Sequence, residues 1–287
     1  MGIVQTANQA KVTEGIHKIT QIATLPEITS KIIQVVEDPR STARDLQSII
    51  KHDVALSAKI LKVVNSAFYG LPRQIGSVDR AIILLGLSTV KNIAIATSMA
   101  KLFSGREISK KFSMKDLWRH SLACGVFCKM LTQARGIENS DEIFVAGLIH
   151  DIGIIVEKQI FPNELMQAIE LAESKQIDLC EAEFEVLEAD HQAFGTALAS
   201  KWKFPHLFQL ATGYHHHPLR TSGQHQEIAA TVHLADVLAG QKQIGFTIHR
   251  SGCDPDVPSL LGLSEDKITE LLDAFDERFE IAESVMN

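Results

Sequence analysis

The chain has 287 residues, of which 45% are hydrophobic, and it carries a formal net charge of −7 at pH 7. This length and apolar content suffice for one large domain or two modest ones with a sizeable core. Because 28 Lys and Arg residues are interspersed with 35 Asp and Glu residues, the sequence lacks the concentrated positive charge that holds a phosphate backbone, which excludes nucleic acid as an expected partner.

The cysteine count and the apolar runs bear on the compartment. The four cysteines are too few and too scattered for a disulfide framework and include no CxxC pair, which fits a reducing cytoplasm. Apolar runs such as residues 81–87 are far shorter than the about 20 residues of a membrane-spanning helix, and no signal-peptide pattern follows Met1. We therefore expect a cytoplasmic protein with no membrane partner.

Helix signals dominate the first hundred residues, where apolar residues recur at three- and four-residue spacing. After a proline, Ser41 or Thr42 can cap a short amphipathic helix. Asp53, Ser77 and Ser88 are then predicted to open three further helices. Strand signals are nearly absent, so the sequence predicts an all-α multi-helix bundle.

The polar segment 104–107 is the predicted joint between two helical parts, because the composition shifts there and a longer helix begins soon after. With the boundary placed near Lys110, the N-terminal part covers residues 13–108 and the C-terminal part covers residues 109–287. Helices of the second part are predicted over residues 114–132, 140–150, 162–174, 181–201, 205–215, 227–240 and 264–285.

Histidines and aspartates of the second part suggest a metal site. His120 lies inside a predicted helix, and the adjacent pair His150-Asp151 closes the apolar run 144–149. Asp236, late in another predicted helix, supplies an opposing carboxylate. Imidazole and carboxylate ligands without thiolate suit Fe, Mn, Ni or Zn, and open coordination positions would hold water or a phosphate oxygen.

Three further histidines extend this set and leave room for a second ion. His191 follows an aspartate, and His215 and His216 stand together before a proline. Asp151 would then bridge the two ions, because a carboxylate offers two oxygens whereas an imidazole nitrogen has a single lone pair. The sequence thus predicts one or two divalent transition-metal ions. The alternative is a buried, hydrogen-bonded polar network without metal.

From residue 25 to residue 218 the chain resembles the HDOD family, the HD-related output domains. The resemblance is carried by the runs Asn-Ser-Ala-Phe-Tyr-Gly at 65–70, Leu-Trp-Arg-His-Ser-Leu at 117–122 and Gly-Leu-Ile-His-Asp-Ile-Gly at 147–153, and His-Leu-Ala-Asp at 233–236. It implies an all-helical fold with an HD-like C-terminal subdomain, a role in bacterial signal transduction with signalling proteins as partners, and descent from the HD phosphohydrolase superfamily.

The resemblance also implies a metal-ligand set, and every position of that set holds an acceptable residue: His120, His150, Asp151, His191, His215, His216 and Asp236. Two departures weigh against catalysis. The lysine that commonly follows the His-Asp-x-Gly motif in active relatives is Ile154 here, and the glycine-tyrosine-proline loop is missing. Loss of that positive charge weakens phosphoester chemistry without removing a metal ligand.

Three functions remain open at this point. The first is a regulatory module whose helical surfaces transmit a signal to partner proteins. The second is a metal-dependent phosphohydrolase that acts on a nucleotide, a cyclic dinucleotide or a small phosphoester, with Asp151 as its catalytic residue. The third is a sensor that binds a nucleotide or redox-active iron without turnover. The regulatory function ranks first, and whether the chain is an enzyme is left undecided.

Overall fold

The computed structural model describes residues 27–38, 40–103, 112–138, 140–246 and 252–286, together with Gly15 and Ile248. Within these residues the chain forms sixteen α-helices and two short 3-10 helices, and no strand. The predicted all-α fold is therefore confirmed. No helix among the described residues is both long enough and apolar enough to cross a membrane.

The N-terminal part consists of five helices and a 3-10 turn at Ala100–Phe103: α1 (Glu27–Glu37), α2 (Ala43–His52), α3 (Val54–Val64), α4 (Val78–Leu85) and α5 (Leu87–Met99). Thr42, rather than Ser41, is the residue that caps α2. Asp53 and Ser77 cap the next two helices with their side chains, as predicted. Each cap satisfies a backbone N–H group that would otherwise lack a partner in the first turn.

The start of α5 lies two residues before the predicted one. The N-cap is Gly86 rather than Ser88, and the helix begins at Leu87. Gly86 ends α4 with a φ of 87°, a conformation that other residues rarely adopt, and the chain re-enters a helix directly after it. The glycine thus fixes the junction, and the serine hydroxyl is not needed as a cap.

Eight helices surround the predicted metal site: α6 (Met114–Ala134), α7 (Ser140–Ile149), α8 (Ile152–Ile160), α9 (Pro162–Lys175), α10 (Leu179–Leu187), α11 (His191–Lys201), α12 (His206–Tyr214) and α13 (Gln224–Gln241). A 3-10 turn at Pro218–Arg220 separates the last two. The long helix α6 packs against α7 and α13, and α11 packs against α8 and α12. Three helices follow: α14 (Asp256–Leu260), α15 (Glu265–Asp273) and α16 (Phe275–Met286).

Two predicted helices are wrong in their continuity. The helix predicted over residues 181–201 is broken: Glu188 adopts a left-handed conformation with φ 59°, and Asp190 then caps α11 by accepting a hydrogen bond from a backbone N–H. The helix predicted over residues 264–285 is divided at Ala274 into α15 and α16. The helices α1, α8 and α14 were not predicted.

The two predicted parts share one hydrophobic core. Helix α5 packs against α1 and α3 on one side and against α7 on the other, and α16 contacts both α3 and α6. Buried residues of both parts belong to one continuous cluster. The predicted joint at residues 104–107 and the boundary near Lys110 lie outside the described residues, so the division into two parts remains a prediction.

Glycines bring together the helices that carry the His-Asp pair. A Cβ atom added at Gly147 on α7 would lie 2.7 Å from the Sγ atom of Cys128 on α6. A Cβ atom added at Gly153 on α8 would overlap the carbonyl oxygen of His191 on α11. Because neither position has room for a side chain, the junction between α7 and α8 lies close to both α6 and α11.

Candidate metal centre

The seven predicted ligands converge on one place, although they come from three helices and two loops. His120 lies in α6, His191 begins α11 and Asp236 lies in α13. His150 and Asp151 form the turn between α7 and α8. His215 and His216 directly follow α12. Six of the seven are at most 2% exposed, and His216 is partly buried.

The first group of side chains lies on the Oδ2 side of Asp151. The Nε2 atom of His150 lies 3.2 Å from Oδ2 of Asp151, and the Nε2 atom of His120 lies 3.8 Å from the same oxygen. The Oδ1 atom of Asp236 lies 2.9 Å from Nε2 of His120 and 3.6 Å from Nε2 of His150. Two imidazoles and two carboxylates therefore face one another.

The second group lies on the Oδ1 side of the same aspartate. The Nε2 atoms of His191 and His215 lie 3.4 and 3.5 Å from Oδ1 of Asp151 and 3.3 Å from each other. The Nε2 atom of His216 lies 3.1 Å from Nε2 of His191. Asp151 thus presents one oxygen to each group, which is the arrangement that the sequence predicts for a bridging carboxylate.

These separations fit metal ligands. Two nitrogen or oxygen ligands at bond lengths of about 2.1 Å are about 3.0–3.4 Å apart when they bind one ion with octahedral or tetrahedral angles. The distances within the second group fall in or near this range. In the first group, Nε2 of His150 is fully buried and makes no hydrogen bond. A buried polar atom of this kind is costly unless a ligand binds it. The cluster therefore has the donors and the spacing to bind metal.

Backbone carbonyl groups orient two of the imidazoles. The Nδ1 atom of His150 lies 2.7 Å from the carbonyl oxygen of Gly147, and the Nδ1 atom of His215 lies 2.8 Å from that of Ala211. A carbonyl oxygen only accepts hydrogen bonds, so Nδ1 donates in both cases. The Nε2 atoms are then directed into the cluster, as metal ligation requires.

A buried glutamate, Glu183 on α10, orients His191. Its Oε2 atom lies 2.8 Å from Nδ1 of His191 and accepts a hydrogen bond of 2.9 Å from the backbone N–H of the same residue. Glu157, also fully buried, lies beside it on α8, and burial together with the charge of Glu183 raises the pKa of Glu157 well above its ordinary value. Sequence reasoning missed both glutamates.

The electrostatic state of the cluster favours positive charge. Burial lowers the pKa of His150, but the charge of Asp151 outweighs burial and raises it to about 10. Burial likewise opposes a charged His191, yet Glu183 and Asp151 raise its pKa to about 9. Burial lowers the pKa of His215 to about 3. The carboxylates therefore create a site that attracts cations.

His233 is not among the predicted ligands. Its Nδ1 atom lies 2.7 Å from the backbone carbonyl oxygen of His215, and its Nε2 atom accepts a hydrogen bond from the backbone N–H of Asp254. The imidazole is therefore neutral, and burial lowers its pKa. It joins the loop after α12 to the segment before α14.

The HDOD domain family model matches residues 22–218 of the chain, a span that includes six of the seven clustered residues. The chain belongs to the HDOD domain family. The resemblance drawn from the sequence motifs is thereby confirmed.

Solved structures of similar fold cover nearly the whole chain. A Geobacter sulfurreducens HDOD domain protein of unknown function has a TM-score of 0.79 and 23% identity, covering 96% of this chain and 98% of its own. A Marinobacter aquaeolei protein named "Putative signal transduction protein" has a TM-score of 0.76 and 21% identity, covering 98% of this chain and 65% of its own. A Shewanella amazonensis protein named "Putative phosphohydrolase" has a TM-score of 0.74 and 21% identity, with coverage of 97% and 98%.

At these identities the structures establish a common fold. A curated Treponema pallidum protein named "Uncharacterized protein" is 24% identical over 221 residues, which are 76% of this chain. The chain spans only 42% of the length of that relative.

A pocket of about 550 Å³ opens onto the HDOD centre. Its wall includes His216 and Asp236 of the cluster, together with His217 and Arg220. Ile154, at the position of the lysine of active relatives, is fully buried in the core and does not line this pocket. At the position where active relatives have a phosphate-binding lysine, this chain therefore has an apolar residue that packs in the core.

Proposed function

We propose that the chain is a regulatory HDOD module of bacterial signal transduction whose HD-type centre binds one or two divalent ions. The single observation that supports the centre is the division of the cluster into two groups that share Asp151. In the first group, His120, His150 and Asp236 would bind an ion together with Oδ2 of that aspartate. In the second group, His191, His215 and His216 would bind an ion together with Oδ1 of Asp151.

Fe, Mn, Ni and Zn are the ions that this donor set suits, because imidazole and carboxylate are intermediate to hard ligands. A bound ion would supply positive charge and Lewis acidity to the centre. It would also stabilise the folded chain, since binding to the native state alone shifts the folding equilibrium. The buried centre would thereby hold α6, α8, α11 and α13 in a fixed arrangement on which partner signalling proteins depend.

Two features favour regulation over hydrolysis. The lysine that commonly follows the His-Asp-x-Gly motif in active relatives is Ile154 here, which is buried in the core and outside the pocket wall. Among the described residues, Arg220 is the one Lys or Arg residue of the pocket wall. Besides Asp236, the wall carries four carboxylates: Asp178, Glu181, Glu185 and Asp190. This charge repels a phosphate group. A polyanionic nucleotide would therefore bind weakly.

A metal-dependent phosphohydrolase is the second candidate. It is favoured by the pocket, which reaches the cluster at His216 and Asp236. In this function Asp151 would be the catalytic carboxylate shared by the two groups, and Arg220 and His217 would bind the phosphoester. The substrate would be a small phosphoester or a nucleotide.

Metal content per chain, measured by plasma mass spectrometry on protein purified without chelator, tests the proposed centre. We expect near-stoichiometric Fe, Mn, Ni or Zn in the wild type and loss of that metal in Asp151→Ala. Asp266→Ala, which removes an exposed carboxylate of α15, is the matched control and should retain the metal. Wild-type protein that stays metal-free after reconstitution would contradict the centre. Phosphoester turnover by the wild type that is lost in Asp151→Ala would favour the phosphohydrolase function over the regulatory function.

A further inference from the structure

The buried centre raises the question of how an ion enters it. His120, His150, Asp151 and His215 are fully buried. The described pocket reaches the cluster at its more accessible side, where His216 is partly buried. An ion that approaches through this pocket meets the side chains of the pocket wall before it meets the inner ligands.

Three potential ligands stand together on that wall. The Sγ atom of Cys180, a carboxylate oxygen of Asp178 and a ring nitrogen of His216 all lie within 4.8 Å of one another. Asp178 caps α10 and accepts a hydrogen bond of 2.9 Å from the backbone N–H of Cys180, which fixes the two residues relative to each other. A thiol, a carboxylate and an imidazole from two separate elements form a typical ligand set for a transition-metal ion.

The surrounding charge favours a cation at this wall. Glu181, Glu185 and Asp190 line the same pocket, and Arg220 opposes them with one positive charge. A concave surface lined with charge of one sign raises the local concentration of ions of the opposite sign. The same carboxylates that disfavour a phosphoester therefore attract a divalent cation.

The wall group and the buried centre are adjacent and share a ligand. The Sγ atom of Cys180 lies 3.9 Å from Nδ1 of His191. The Nε2 atom of His216 lies 3.1 Å from Nε2 of His191, within the second group of the centre. An ion bound at the wall could thus move inward by exchange of ligands while His216 remains bound.

We propose that Asp178, Cys180 and His216 form a capture site, at which a divalent transition-metal ion binds before it passes to the buried centre. The destination of the ion rests on the proposed function, whereas capture itself does not. The Cys180 thiol loses its proton to solvent as the metal–sulfur bond forms, and it regains a proton when the ion leaves. No oxidation or reduction takes part.

Loading of the chelator-stripped full chain with Co²⁺, followed by stopped-flow absorption, tests the capture site. A sulfur-to-cobalt charge-transfer band reports binding by Cys180, and the ligand-field absorption of Co²⁺ reports total binding. In the wild type we expect the sulfur band to rise first and then to decay. In Cys180→Ser we expect no sulfur band and loading slowed by about tenfold, the lower end of the effect of removing a group that supports a metal site. Cys253→Ser, which alters another partly buried cysteine outside the described clusters, should behave as the wild type.

Asp151→Asn separates this inference from the proposed function, because it impairs the centre and leaves the capture residues intact. We expect the sulfur band to form in this variant and to persist. Absence of the band from every protein, or wild-type loading kinetics in Cys180→Ser, would overturn the capture site. Failure of the centre would give a different result. The sulfur band would still form in the wild type, but the protein would retain no ion after a brief wash with chelator.

Discussion

Glu183 determines which nitrogen of His191 faces the centre. Its carboxylate accepts hydrogen bonds from both Nδ1 and the backbone N–H of that histidine. A carboxylate in this position raises the basicity of a ligating imidazole and fixes its tautomer. We therefore expect Glu183→Gln, which keeps the size but removes the charge, to weaken metal affinity about 10- to 100-fold. Competition with a chromophoric chelator measures the affinity.

Glu170→Gln is the matched control for this prediction. It makes the same change on the neighbouring helix α9, at an exposed position outside the pocket wall. Its metal affinity should equal that of the wild type. Equal affinity in Glu183→Gln would contradict the positioning role, and equal loss in both variants would point to a general electrostatic effect.

The histidines and aspartates of the centre were predictable from sequence because short motifs place them. His150 and Asp151 are adjacent in the chain, and His120 lies within a second recognisable run. Glu183 had no such signal. It reaches His191 because the chain turns at Glu188, between α10 and α11, where the backbone is left-handed. Hydrophobic spacing alone predicts one continuous helix across that turn.

Gly153 controls the separation of helices α8 and α11. A Cβ atom at this position would overlap the carbonyl oxygen of His191, and the backbone N of Gly195 would also be in close contact. Gly153→Ala must therefore push the two helices apart. We expect a loss of about 1–3 kcal/mol in the free energy of unfolding, typical of an overpacked core, together with reduced metal content. Urea denaturation measures the first effect.

Gly76→Ala provides the comparison, because a Cβ atom there would contact nothing within 4 Å. Its free energy of unfolding should stay close to the wild-type value. Unchanged stability and metal content in Gly153→Ala would show that the α8–α11 contact adjusts without cost, against the geometry described above.

Lys129 on α6 joins the two predicted parts of the chain. Its Nζ atom lies 2.8 Å from Asp141 on α7, and 4.2 and 4.3 Å from the ring centroids of Phe68 and Tyr69 in the turn after α3. Lys129→Met would leave the Asp141 carboxylate largely buried without its cation. We expect a loss of about 1–3 kcal/mol in the free energy of unfolding.

Thermal and urea denaturation measure the effect of Lys129→Met against Lys115→Met, an exposed lysine of the same helix. The control should change stability little, since exposed substitutions away from special contacts have small effects. If both variants unfolded alike, the cation between the two aromatic rings would have no structural role.

Helices with one buried face and a recognisable cap were predicted with accurate starts, as α2 and α3 illustrate. Helix α8 was missed for a physical reason. Only two residues separate it from the end of α7, no side chain caps it, and Gly153 in its first turn is a poor helix former. The breaks in the predicted helices 181–201 and 264–285 depend on local backbone conformation, which hydrophobic spacing does not encode.

The last helix, α16, connects the N-terminal helices to the helices that carry the centre. Helix α16 packs against α3 and α6, and the Nζ atom of Lys62 donates a hydrogen bond of 2.8 Å to the backbone carbonyl of Ser284. The helices that carry the centre and the helices that precede them therefore belong to one core, and we expect them to unfold together. A change at the centre should affect the stability of the entire described fold.

Metal removal is the test of this coupling. An ion that binds only the folded chain at 100 times its Kd stabilises that chain by about 2.7 kcal/mol. At roughly 2–4 °C per kcal/mol for a chain of this size, the wild type should melt at least about 5 °C lower after treatment with chelator and should recover when Zn²⁺ or Mn²⁺ is returned. Asp151→Ala should show no such shift, because its centre lacks the shared carboxylate. A wild-type Tm that changes neither with chelator nor with added ion would mean that the cluster is a polar network that is stable without metal.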